Sequence, residues 1–209
     1  MDRNYLVRLK KNLKGKFIIA VTGVPGSGKS LFCSMLGSMG AHFISSDAVA
    51  SNLLTKKKCY SKILKEFGSS ASGGKLLDKR KLASAVFKDG KKRRWLENYL
   101  HPLIANEIYS ELKKSQKKIA VIEVPLLFEA DFDSFADLTV CVTAGNEKVL
   151  SRLSARGWSR KESLARSSAQ FSQKKKEELS DIVVCNDAGT AQLKRKAIEL
   201  IRAAKRLIS

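Results

Sequence analysis

Apolar and polar positions alternate between two patterns along this chain. Phe17–Thr22 is a short, almost wholly apolar run, the pattern of a strand buried on both faces. A glycine-rich stretch, Gly23–Gly28, interrupts it. From Lys29 to Met39 the spacing becomes helical, with Leu31, Phe32, Met35, Leu36 and Met39 on one side and Gly40 as the stop. "AHFISSD" predicts a second strand ending at Asp47. "KKIAVIEV", "DLTVCVT" and "DIVVCN" predict three more, with helices over "NEKVLSRLSARG" and residues 190–207. A capping box at Ser159–Glu162 predicts another helix start. Strands that alternate with helices imply an α/β protein with a parallel sheet.

Residues 48–116 break this rhythm, since no strand pattern stands out. "LLDKRKLASAVF" predicts a helix starting at Asp78. "RRWLENYLHPLIANEIYSELKK" predicts two helices divided at His101-Pro102, with the proline in the first turn of the second. "GSSASGGK" is the most loop-like stretch. The segment therefore reads as a helical insert.

Charge separates the same regions. The net charge of +20 is uneven: residues 1–16 carry +5, 17–50 balance, 51–120 carry +12, and 121–209 carry +3. A basic surface attracts polyanions, and a solvated lysine-rich face is the plainer reading of any single run. The apolar runs are too short for a membrane span. The N-terminal stretch lacks a secretory pattern and reads as a short basic extension, with Tyr5, Leu6, Leu9 and Leu13 at helical spacing. The four cysteines form no C-x-x-C pair. Cys33, Cys141 and Cys185 lie in apolar runs as small core residues do, which suits a reducing, cytoplasmic setting.

The chemistry concentrates in Gly23-Val24-Pro25-Gly26-Ser27-Gly28-Lys29-Ser30, which fits G-x-x-x-x-G-K-[ST] between a strand and a helix. Glycines let successive amides turn inward, and with the helix N-terminus they form a nest for phosphates. Gly23, Pro25, Gly26, Ser27, Gly28, Lys29, Ser30 and Leu31 are the candidate cradle for a nucleoside triphosphate. Lys29 can reach the outer phosphates, and Ser30 can offer its hydroxyl to Mg²⁺. Asp47, after the second strand, is either a helix cap or a general base. Glu123 ends its strand as a surface carboxylate or a second metal-side group. Arg152 and Arg156 share a helix face and either meet solvent or clamp phosphate charge; Arg166 is a weaker candidate. His101 suits a helix start.

The loop alone permits a kinase, a GTPase switch or a nucleic-acid motor. No N-K-x-D guanine signature is present, and few aromatics stand among the lysines to stack on bases. The remaining rivals are a kinase of another small acceptor, such as a nucleotide, and an ATP-dependent nucleic-acid binder.

In order along the chain, "VTGVPGSGKS", "MLGSMGAHFISSDAVASNLL", "LLDKRKLASAVF", "WLENYLHPLIANEI", "VPLLFE", "SRLSARGWSRKESLARSSAQ" and "DIVVCN" resemble the dephospho-coenzyme A kinase family. The resemblance implies a P-loop NTPase-type core (17–50 and 117–209), a helical acceptor-binding insert (51–116), a small helical lid near 150–178, and a basic extension (1–16). It implies transfer of the ATP γ-phosphate to the ribose 3′-hydroxyl of dephospho-CoA, the last step of coenzyme A synthesis. Under it, Asp47 is the base and also borders the acceptor with His101. Lys29 and Arg152 act on the phosphates, Ser30 and Glu123 lie on the metal side, and Arg156 and Asn186 lie on the nucleotide. The partner is a small molecule, not a nucleic acid or membrane, and the oligomeric state is left open. Three positions depart from the family pattern: Ser45 replaces the first carboxylate of D-x-D, Pro25 stands in the loop, and Gly157 follows Arg156 where an aspartate is usual.

Overall fold

The computed structural model describes residues 2–74, 76–159 and 170–208. It divides into two compact units, one of residues Ser46–Ser110 and one of Asp2–Ser45 with Glu111–Ser209.

The second unit is built on five parallel strands: β1 (Phe17–Thr22), β2 (His42–Ser45), β3 (Ile119–Glu123), β4 (Leu138–Thr143) and β5 (Ile182–Cys185), in the order β2-β3-β1-β4-β5. Parallel neighbours need helical crossovers, so such sheets are covered and their strands read as continuous apolar runs. That is why β1, β3 and β4 were legible as buried strands. Helix α1 (Arg3–Lys11) precedes β1, and α2 (Lys29–Ser38) follows it. On one face, Phe32, Cys33 and Leu36 of α2 join Val21, Val121, Val142 and Val184 of the sheet in a single apolar cluster. Removing each such side chain from water contributes roughly 1.5–3 kcal/mol.

Three expectations about this unit change. The N-terminal stretch is a packed helix: Leu6 and Leu13 are buried, Arg3 pairs with Asp133 at 2.8 Å, and Lys10 pairs with Asp137 at 2.6 Å. β2 stops at Ser45, and the next helix begins at once with Ser46, so Asp47 sits in a first helical turn and does not cap a helix starting at Ala48. Cys185 is exposed, because β5 is an edge strand with only Val184 buried, whereas Cys33, Cys59 and Cys141 are buried.

The first unit is helical. It contains α3 (Ser46–Leu53), α4 (Lys57–Phe67), α5 (Lys79–Lys88) and most of α6 (Gly90–Lys114). Cys59, Ile63 and Phe67 recur every fourth residue on the buried side of α4. Trp95 meets Phe67 edge-on, with ring centres 5.8 Å apart, and tilts against Tyr99 at 5.4 Å. α6 is one helix through Pro102, where the sequence predicts two. An interior proline forfeits one backbone bond and costs about 3 kcal/mol. Buried Leu100 before it and Ile104, Ala105, Ile108 and Leu112 after it hold the helix together regardless.

In the remainder of the sheet unit, α7 (Asn146–Ala155), α8 (Gln173–Leu179) and α9 (Thr190–Leu207) complete the described helices. α9 adds Leu193, Ala197, Leu200, Ile201 and Ala204 to the apolar cluster under α2. Most of the box Ser159–Glu162, together with Arg166 and the middle of the lid segment, lies outside the described residues. Among those described, no helix is long and apolar enough to cross a membrane.

Candidate active site

The site begins where β1 ends. Gly23, Gly26 and Gly28 all have positive φ (+145°, +82° and +102°). At two of them the surroundings also exclude a side chain. A Cβ on Gly23 would lie 2.3 Å from the Val142 carbonyl oxygen, and one on Gly28 would lie 2.1 Å from Asn186 Nδ2. The loop is therefore pressed against its neighbours, and no side chain can intervene. Gly28 is also the N-cap of α2 and supplies no side-chain acceptor. The first-turn amides of a helix have no acceptor within it, and the dipole leaves them positive. This N-terminus is thus open to an anion.

Long-range hydrogen bonds hold the outside of the loop. Arg152 Nη1 donates to the carbonyls of Gly26 (3.2 Å) and Ser27 (3.3 Å), and Nη2 donates to that of Asn186 (3.0 Å). Asn186 Nδ2 donates to the Ser27 carbonyl at 2.8 Å, and its own amide donates to Thr143 O at 2.8 Å. The Ser27 amide donates within the loop to Val24 O at 3.2 Å, and holding the Ser27 carbonyl turns the Gly28 amide, on the other side of that peptide, the opposite way, as a phosphate nest requires. Ser27 Oγ is buried without a partner, beneath the loop.

Gly26, Gly28, Lys29, Ser30, Leu31, Arg152, Arg156 and Asn186 line a cavity of about 260 Å³. Gly189 and Thr190 line it as well, which the sequence reading missed. The available signal was a glycine beside a threonine at the start of α9, with Gly189 at φ +85°. Leu31, expected on the apolar side of its helix, is 45% exposed and faces this cavity. Gly23, Pro25 and Ser27 belong to the loop without lining the cavity. Lys29 lies largely buried, its Nζ 3.5 Å from the Val24 carbonyl.

Ser30 Oγ donates to Glu123 Oε1 at 2.6 Å, which joins the start of α2 to the last residue of β3. Both are hard oxygen donors. Magnesium favours one or two such protein oxygens together with substrate phosphates over an all-protein cage. Accordingly, among the described residues no cluster of three or more acidic, histidine or cysteine side chains could hold a metal by itself. The donor set fits Mg²⁺.

Asp47 and His101 belong to the helical unit. Asp47 is exposed in the first turn of α3, two residues beyond Ser45, whose Cα partner across the sheet is Glu123. His101 lies inside α6, and burial holds its pKa below the usual 6.5, so the ring is neutral at physiological pH. A neutral imidazole can accept or donate one hydrogen bond but brings no positive charge to a ligand.

Comparison with known proteins agrees with this geometry. A family model described as dephospho-CoA kinase matches residues 17–192. A dephospho-CoA kinase of Thermus thermophilus is 34% identical over 197 residues, covering 92% of this chain and 96% of the relative. One from Legionella pneumophila is 31% identical over 188 residues, covering 88% and 93%. The crystal structure of TT1252 from Thermus thermophilus superposes with a TM-score of 0.83 at 32% identity, covering 90% of this chain and 97% of that one. The match runs through the helical unit as well as the sheet, so it reaches well beyond a generic phosphate loop. On that breadth, the chain belongs to the dephospho-CoA kinase family of ATP-dependent phosphotransferases.

Proposed function

We propose that the chain transfers the γ-phosphoryl group of ATP to the ribose 3′-hydroxyl of dephospho-CoA by in-line displacement, in the cytoplasm. One observation carries this reading: an anion-sized cavity is walled by the open N-terminus of α2, Lys29, Arg152 and Arg156, with the Ser30–Glu123 pair adjoining it. The inward amides and Lys29 bind the β- and γ-phosphates. Asn186 and Arg152 keep the loop in its receiving shape, and Arg156 contributes charge from the C-terminal end of α7. Ser30 and Glu123 would hold Mg²⁺, which would supply positive charge to neutralise the phosphates.

Asp47 is the base in this proposal. Its carboxylate takes the proton of the acceptor hydroxyl as that oxygen bonds to the γ-phosphorus and the bond to the bridging oxygen of ADP breaks. Its place directly after β2 supports the assignment, since ligands of parallel sheets bind beyond the carboxyl ends of the strands. Residues 51–116 form the acceptor-binding part, with His101 as a neutral hydrogen-bonding wall. Positioning and charge neutralisation supply most of the catalysis.

The test is an ADP-release assay with dephospho-CoA as acceptor and AMP and pantetheine phosphate as controls. Turnover with dephospho-CoA alone is expected. Turnover with AMP alone would reassign the chain to a nucleotide kinase. Asp47→Asn is expected to lower kcat by at least about a hundredfold, the range of general-base catalysis, with nucleotide affinity unchanged. Unchanged kcat would remove Asp47 from the base role.

A further inference from the structure

Lys176 is the most deeply buried charge among the described residues, with none of its side chain exposed. Its Nζ lies 3.0 Å from Glu129 Oε1 and donates to the Pro125 carbonyl; Thr22 Oγ1 lies 3.4 Å away. Thr22 Oγ1 in turn donates to Pro125 O at 3.2 Å. Glu129 Oε1 also accepts from the Phe171 amide at 2.7 Å, while its Oε2 is buried without a partner.

The partners' places in the chain give the cluster its meaning. Thr22 is the residue before Gly23, where the phosphate loop begins. Pro125 is two residues past Glu123. Between them, the Val124 amide donates to Val21 O at 2.9 Å. One ammonium group therefore joins the entry of the loop to the exit of the strand that carries Glu123. Stability alone does not explain such a group. Burying a lysine and a carboxylate costs several kcal/mol per ion, and apolar side chains of similar size often do as well or better. A rigid tripod of ammonium bonds does something apolar packing cannot, because its bond lengths set how far apart two backbone segments lie.

We infer that Lys176, held by Glu129, is a positioning residue that sets the separation between the phosphate loop and Glu123, and so the geometry in which nucleotide and magnesium bind together. The inference rests on the proposed metal role of Ser30 and Glu123. Lys176 itself touches neither residue.

The test uses Lys176→Met/Glu129→Gln, which removes both charges at nearly constant volume and leaves no buried ion unpaired. Three quantities are compared with wild type: melting temperature, the Kd for ADP with magnesium and with EDTA, and kcat for dephospho-CoA. The double variant is expected to melt near wild type and to bind ADP in EDTA within about twofold. Its magnesium-dependent gain in affinity should fall by about tenfold and its kcat by more, within the 10–100-fold range typical when a group supporting a metal ligand is lost. A double variant that keeps the full magnesium gain overturns the inference. Should that variant not fold, Thr22→Val removes one leg of the cluster without changing charge. A loss of about threefold in the magnesium gain supports the inference, and an unchanged gain overturns it. If wild type itself shows no magnesium gain, the metal role of Ser30 and Glu123 fails along with the inference; if wild type shows the gain and the variants keep it, only the inference fails.

Discussion

The nucleotide cradle and the helical unit are built by opposite means. Around the cradle, geometry is over-determined. Gly23 and Gly28 have no room for a methyl group, two side chains from distant segments hold the loop carbonyls, and the Ser30 hydroxyl meets the buried Glu123. In residues 46–110 the shape comes from apolar faces and helix caps, and the polar groups are mostly at the surface. That unit has 14 basic residues against six acidic ones. Of the six, Asp78 and Asp89 cap α5 and α6 through backbone amides, and Glu97 and Glu107 pair with Arg93 and Lys56 at exposed positions. The positive excess therefore forms a diffuse field that steers anions without fixing any one distance. Single-atom changes should hurt function in the cradle and be largely absorbed in the helices.

The sharpest way to break this contrast is Gly28→Ala. The new methyl would lie 2.1 Å from Asn186 Nδ2 on a backbone at φ +102°. Positive φ costs a non-glycine residue about 1–3 kcal/mol, and relieving the clash moves the asparagine that holds Ser27. Together these are expected to weaken ADP binding by about a hundredfold, at about 1.4 kcal/mol per factor of ten. Titration calorimetry reads this directly. Wild-type affinity in this variant would show that the nucleotide does not use this loop.

What the sequence made legible follows the same line. The strand–loop–helix unit from Phe17 to Ser38 was readable because buried parallel strands are continuous apolar runs, and because the glycine and lysine spacing is a local requirement of the loop. Asp78 was readable as a cap for the same reason, since its bonds reach only two and three residues along. The contact of Asn186 with Ser27 spans 159 residues, and the Lys176–Glu129 pair joins segments with no shared periodicity, so no local pattern encodes either. The family resemblance pointed to Asn186, but to contact with nucleotide; its hold on the loop came only from the fold. Pro102 misled because local propensity favours a break there, whereas packing on both sides decides for one helix. Asp47 shifted from strand end to helix start because a four-residue strand leaves no local signal of where it stops.

Arg152→Met sharpens the comparison at an intermediate scale. Its guanidinium reaches three carbonyls on two segments from a partly exposed position, so each bond is discounted for solvent. The expected result is a rise of about tenfold in KM for ATP with a smaller change in melting temperature. Arg152→Lys should not restore it, because one ammonium cannot span the fork that a guanidinium spans. Full rescue by lysine would show that charge alone matters here, and would make the cradle resemble the helical unit.

The smallest effect is expected at Asp78, where the helical unit relies on a local bond. Its carboxylate accepts from the amides of Arg80 at 2.8 Å and Lys81 at 3.1 Å. Those bonds favour the ionised form, with the Lys81 amide the largest influence, and lower its pKa below the ordinary 3.8. A folded pKa below the unfolded one stabilises at pH values above the unfolded pKa, and that contribution is lost as pH falls through the folded value. Asp78→Ala should therefore lower the melting temperature slightly at neutral pH, and by less as the pH falls and the wild-type carboxyl loses its charge. Asp78→Asn, which keeps an acceptor oxygen, should lose less. ADP affinity should stay at the wild-type value in both variants. A clear loss of affinity would mean that the start of α5 is coupled to the cradle and that the two regions do not tolerate change independently.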